Sequence, residues 1–102
     1  IALQINSNNN DAVTLLAYYY ANLDNVEKTN FFSKKITNKN SGKYNFYIAA
    51  AYTRLNMYQA AFNYLELSIN NNYSLEEIAN SPLFDNLKNE SKYQQLMSFK
   101  YE

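Results

Sequence analysis

The stretch from Tyr44 to Tyr73, YNFYIAAAYTRLNMYQAAFNYLELSINNNY, limits the fold more than any other part of the chain. Apolar side chains recur at Tyr44, Tyr47, Ile48, Ala51, Tyr52 and Leu55, then at Tyr58, Ala61, Phe62, Leu65 and Ile69. Both sets keep the three- and four-residue spacing of one helical face. Leu55-Asn56-Met57 separates them as a hinge. Small residues stand where two helices come close, and aromatics where they interlock. The stretch therefore reads as a helix–turn–helix unit, which hides its apolar face only by stacking on neighbours.

The flanking sequence continues the pattern. Ile1 to Asn10 is weakly patterned and reads as a linker or a frayed approach, followed by one helical domain over 11–102. Asp11 is placed to cap a first helix from about Ala12 to Asn22, with Val13, Leu16, Tyr19, Tyr20 and Leu23 as its stripe. Asp24, with Glu27 three residues on, has the form of a capping box for a second helix reaching about Thr37. Val26, Phe31, Phe32 and Ile36 are its apolar positions, and Thr37 to Gly42 is a loop by composition. A third helix is expected from Lys43 to Leu55. Asn56 caps a fourth, which Asn70-Asn71-Asn72 ends. Ser74 opens a short helix to about Asn80, and Ser81-Pro82 starts a further turn with Pro at a helix's first position. Asn89 is expected to cap a last helix carrying Tyr93, Leu96, Met97 and Phe99. The pairs thus lie near 12–37 and 43–70, with a tail over 74–99.

Composition narrows function mainly by exclusion. Nine basic and nine acidic residues give zero formal net charge, which argues against a dominant nucleic-acid or anionic-membrane role. No apolar run in the chain is long enough to span a bilayer. Without His or Cys there are no imidazole or thiolate metal ligands and no common nucleophile–base pair, so no enzyme activity and no cofactor are expected. With a single Gly the chain has no Gly-rich phosphate loop. Glu76, Glu77, Asp85 and Glu90 read as caps and solvated faces rather than a cation site, and Lys28, Lys34, Lys35, Lys39 and Lys43 as a solvated outer face. The 18 Asn, with frequent Lys, Tyr, Ile and Phe, all have A/T-rich codons, as in a low-GC bacterial gene. The chain opens on Ile, as a piece of a larger protein would.

In the better unit, Ile48-Ala49-Ala50-Ala51-Tyr52, Tyr58, Ala61, Tyr64-Leu65 and Ser68 fall at the core positions of a tetratricopeptide repeat. The chain resembles that family. Asn45 and Tyr73 depart from its usual Trp and Pro. A weaker copy, offset by about 33 to 34 residues, has Leu15-Leu16 for the Leu-Gly pair. It puts Lys28 and Lys35 where small crossing residues belong. Ser81 to Met97 resembles a tail that follows such repeats in bacterial proteins, including hydrolases, peptidases and regulators.

The resemblance implies an all-α fold of antiparallel helix pairs in a right-handed superhelix, closed by C-terminal capping helices. It also implies a concave groove lined by first helices. Carried over, the groove positions are Lys43, Phe46, Ala50, Thr53 and Arg54, then Val13, Ala17, Tyr20 and Ala21. Phe46 beside Arg54 suggests an anchor for a peptide. The expected function is a non-enzymatic module binding a peptide or protein surface. The alternative is a structural C-terminal appendage of a larger bacterial enzyme, aiding stability or dimerisation. A homodimer through an uncovered first helix is open to either.

Overall fold

Polar side chains set where the helices begin. The computed structural model describes residues 9–98. The N–H groups of Ala12, Lys28, Tyr44 and Glu77 donate to the side-chain oxygens of Asn9, Asn25, Ser41 and Ser74, at 3.0, 3.0, 3.1 and 3.2 Å. These N-caps open α1 (Asn10–Asn22), α2 (Val26–Ser33), α3 (Gly42–Arg54) and α5 (Leu75–Asn80). α4 (Tyr58–Asn70) and α6 (Ser91–Met97) start without a side-chain cap bond. Between α5 and α6 lies a 3₁₀ turn, Pro82–Leu87, with Ser81 as its cap. Among the described residues every regular element is helical, which supports the all-α class.

Several expected caps are displaced by one or two residues. Asn9, not Asp11, caps α1, Asn25, not Asp24, caps α2, and Glu90, not Asn89, holds the N-cap position of α6. The physical reason lies in the preceding helix. Asp24, Asn56 and Asn72 have φ of 60, 60 and 71°, so they finish a helix in the left-handed conformation instead of starting the next. After each, an N–H reaches back five residues: Asn25 to the Tyr20 carbonyl, Met57 to Tyr52 and Tyr73 to Ser68, at 2.9, 2.9 and 3.0 Å. These are Schellman closures with Asn or Asp in the place Gly usually takes. α2 also ends earlier than expected, at Ser33. Residues 1–8, most of the expected linker, and Phe99 lie outside the described residues.

The closures reveal the true register of the internal repeat. α1 and α3 are each 13 residues long and start 32 residues apart, at Asn10 and Gly42. The capping residues Asn9 and Ser41, and the left-handed residues Asp24 and Asn56, keep that spacing. Tyr20 stacks on Phe32 with ring centroids 5.7 Å apart, and Tyr52 on Tyr64 at 5.6 Å, again in register. At this spacing Thr29, not Lys28, is the counterpart of Ala61. Both are fully buried, whereas Lys28 is exposed with its ammonium 5.6 Å from the Tyr20 ring centroid. The Thr29 hydroxyl donates to the Ala17 carbonyl of α1 at 3.3 Å, which ties α2 to α1.

Each pair closes on itself antiparallel. Thr37 N–H, past the end of α2, donates to Asn10 Oδ1 at the start of α1 (2.8 Å). Ser68 Oγ, near the end of α4, donates to the Gly42 carbonyl at the start of α3 (2.8 Å). Gly42 has no room for a side chain, since a Cβ there would lie 3.1 Å from both Asn71 O and Tyr73 Cβ. The core runs from Val13 and Ala17 through Ile48, Ala49, Ala61 and Leu65 to Ile78, Phe84, Leu87, Tyr93 and Leu96. Its C-terminal part is the tail, where the 3₁₀ turn packs on α3 and α6 on α4.

Burial corrects the expected stripe of α1. Its hidden side is Val13, Thr14, Ala17 and Ala21, while Tyr19 and Leu23 face outward, 55% and 58% exposed. In α2 the hidden pair is Thr29 and Ser33, and Phe31 and Val26 are exposed.

The tyrosines give the fold an alkaline limit. Burial pushes the phenols of Tyr64, Tyr73 and Tyr93 above their ordinary value of 10.0. A raised acid pKa means that the folded chain holds its proton where the unfolded chain has released it. Their contribution is therefore whole below pH 10 and is lost as pH rises through the folded values. Thermal melts at pH 8, 10 and 11 are expected to fall only above pH 10, and Tyr93→Phe should flatten that fall.

Candidate functional site

α1 and α3 run side by side in the same direction. Asp11, in the first turn of α1, meets the first turn of α3: Tyr44 donates to its Oδ1 at 2.9 Å, and Lys43 Nζ lies 3.8 Å from the same oxygen. At the other end Arg54 Nε donates to Asn22 Oδ1 at 3.2 Å. Beside the first of these ties is a furrow, a shallow depression lined by Asp11, Thr14, Leu15, Lys43, Tyr44 and Tyr47. Leu15 and Tyr47 form exposed apolar walls.

Thr14 is the unusual group in it. The residue is only 4% exposed, and its hydroxyl has no hydrogen-bond partner. The other buried hydroxyls of the helices are satisfied: Thr29, Ser33 and Thr53 donate to the carbonyls of Asn25, Thr29 and Ala49 four residues back, at 2.9, 2.7 and 2.8 Å. A buried hydroxyl left unpaired costs about 1–3 kcal/mol. The hydrogen bond to Asp11 raises the phenol of Tyr44 above its ordinary value. The Lys43–Asp11 pair is exposed and contributes little to stability.

The structure redistributes the residues expected to meet a partner. Lys43 is exposed on the furrow, Arg54 is exposed at the far end of α3, away from it, and Tyr20 is half-buried beneath Lys28. Phe46, Ala50, Thr53 and Ala17 are buried, as are Val13 and Ala21, so none of these six offers a surface. Phe46 fails as an anchor for a specific reason. Its ring stacks on Tyr73 at 4.5 Å and meets Phe84 edge-on at 5.3 Å, so the tail occupies the place a peptide was expected to take.

Asp11, Thr14, Leu15, Tyr44 and Tyr47 were not among the residues expected from sequence to meet a partner. The 32-residue register would have found most of them, because it sets Asp11 beside Lys43, Leu15 beside Tyr47 and Asn22 beside Arg54. The furrow offers a carboxylate, an ammonium, phenols and a free hydroxyl between apolar walls. Such groups hold a ligand by hydrogen bonds and contact. Among the described residues no group of three or more acidic, His or Cys side chains is placed to hold a metal ion, and no helix is long and apolar enough to cross a membrane. Comparison of the chain with protein-family models, curated proteins and solved structures finds no match.

Proposed function

We propose that the chain is a non-enzymatic interaction module, built of tetratricopeptide-like helix pairs in a right-handed superhelix, which holds a peptide or protein segment in the furrow between α1 and α3. The observation that carries this reading is the unsatisfied Thr14 hydroxyl beside the exposed walls Leu15 and Tyr47. A ligand that donates a hydrogen bond to Thr14 Oγ1 removes its desolvation penalty, and an apolar side chain between Leu15 and Tyr47 supplies contact area.

Peptides selected from a random displayed library against the chain test this, with affinities measured by fluorescence anisotropy. Tyr47→Ala and Lys43→Glu are expected to weaken the selected peptides about tenfold or more. Thr14→Val should weaken them as well while raising stability by about 1 kcal/mol, since it removes an unpaired buried hydroxyl. Peptides that bind all three variants as they bind wild type would move the interaction away from the furrow.

A second reading, a structural appendage of a larger bacterial enzyme such as a hydrolase or peptidase, draws on the exposed apolar residues of α1 and α2 on the side away from α3. An appendage needs such a face to pack on its parent.

A further inference from the structure

The outward face of the first helix pair carries an unbroken aromatic band. Tyr19 meets Tyr20 edge-on with centroids 5.1 Å apart, Tyr20 stacks on Phe32 at 5.7 Å, and Phe32 meets Phe31 edge-on at 5.0 Å. The two end rings, Tyr19 and Phe31, are 55% and 53% exposed, and Leu15, Leu23 and Val26 extend the apolar surface. α1 carries one charged residue, Asp11, at its start. Of the exposed positions of α4, Gln59, Asn63 and Asn70 are polar and one, Leu67, is apolar, so the apolar surface there is a single side chain and not a band.

The 32-residue register says what the band corresponds to. Its equivalent in the second pair is the Tyr52–Tyr64 stack, where Tyr52 is buried and donates its hydroxyl proton to Asn30 Oδ1 of α2. That surface is thus an interface with the preceding pair. The first pair has the same kind of surface with nothing on it among the described residues. One substitution in the pattern decides what can cover it. Where α3 has Ala51, fully buried against its neighbour, α1 has Tyr19. A further repeat unit seated as the first pair sits on the second would collide with that ring. At the other end the tail already covers α3 and α4, which leaves no matching face for head-to-tail stacking.

We propose that the band is covered by a second copy of this chain, in a two-fold dimer that sets α1 and α2 of one copy against the same helices of the other. Two-fold contact needs one self-complementary face, which a rigid aromatic and leucine surface supplies. Five partly exposed side chains offer roughly 500 Å² per copy, so two copies bury about 1,000 Å², the lower bound for a specific interface. Zero formal net charge means that the copies do not repel one another. An interface at that bound predicts a dimer whose population depends on concentration.

Sedimentation equilibrium of the whole chain from about 1 to 500 μM tests the proposal. The expected result is a monomer–dimer equilibrium ending at twice the monomer mass. Tyr19→Lys and Leu23→Glu should each weaken it at least about tenfold with unchanged helical circular dichroism, and Gln59→Lys on α4 should leave it unchanged. Neither of the first two residues lines the α1–α3 furrow, so these substitutions leave its lining intact, although Leu15 borders both surfaces. A chain that stays monomeric at the highest concentration overturns the proposal, as do a dimer indifferent to both substitutions and growth beyond the dimer.

Discussion

A chain ending at Asn80 is expected to lose cooperative folding. That cut removes the 3₁₀ turn and α6, and with them Phe84, Leu87, Tyr93 and Leu96, all buried in the intact chain. Each such side chain is worth about 1.5–3 kcal/mol when fully buried. Together they approach the whole net stability of a domain this size, about 5–15 kcal/mol. The damage extends past the deleted residues, because Phe46 loses the Phe84 edge and α3 and α4 lose the elements that cover them. Two helix pairs are fewer than a helical array usually needs to stand alone, so the tail fills the role of the missing unit. Thermal melts followed by circular dichroism should show no sigmoidal transition, and the shortened chain should bind a dye for exposed apolar surface. A truncated chain that melts cooperatively within about 5 °C of the full one would show that the tail is an ornament on a core complete without it.

How much of this was legible beforehand depended on which signal was read. Apolar spacing read the buried side of α4 correctly, at Ala61, Phe62 and Leu65, because burial of a stripe dictates that spacing whatever the partner. Caps misled by one residue where two eligible residues stand together, as in Asp24-Asn25. Either can accept a hydrogen bond from the next helix. Only the Schellman closure of the previous helix settles that the first turns left-handed and the second caps. The side of α1 was misread because its buried positions, Thr14, Ala17 and Ala21, are small, and its exposed ones, Leu15, Tyr19 and Leu23, are large. Hydrophobicity alone points the wrong way on a helix whose apolar face is turned outward. The furrow was partly visible: Lys43 was named, but Asp11 was read as a cap, and its pairing with Lys43 emerges only at the 32-residue spacing, which small shifts in assumed period conceal.

Phe46 shows how a residue can sit at a partner-facing position of a pattern and still be structural. On α3 it lies off the stripe of Tyr47, Ile48, Ala51 and Tyr52, which in an uncapped array would leave it free in the groove. Here Tyr73, held by the closure after α4, lies flat against it, and Phe84 abuts it from the 3₁₀ turn. Only 6% of the residue remains exposed. Phe46→Ala is therefore expected to act on stability and not on affinity. Truncating a buried Phe costs about 3–5 kcal/mol, which at about 4–8 °C per kcal/mol lowers the melting temperature by at least about 12 °C. Phe46→Leu keeps part of the volume and should fall between. Arg54→Ala, at an exposed position with a single hydrogen bond to Asn22, should change stability by no more than about 0.5 kcal/mol. Urea titrations of the three variants separate the two roles. A Phe46→Ala chain with the wild-type midpoint would mean that the tail does not rest on α3, and the same result would remove the physical basis for expecting the Asn80 truncation to unfold.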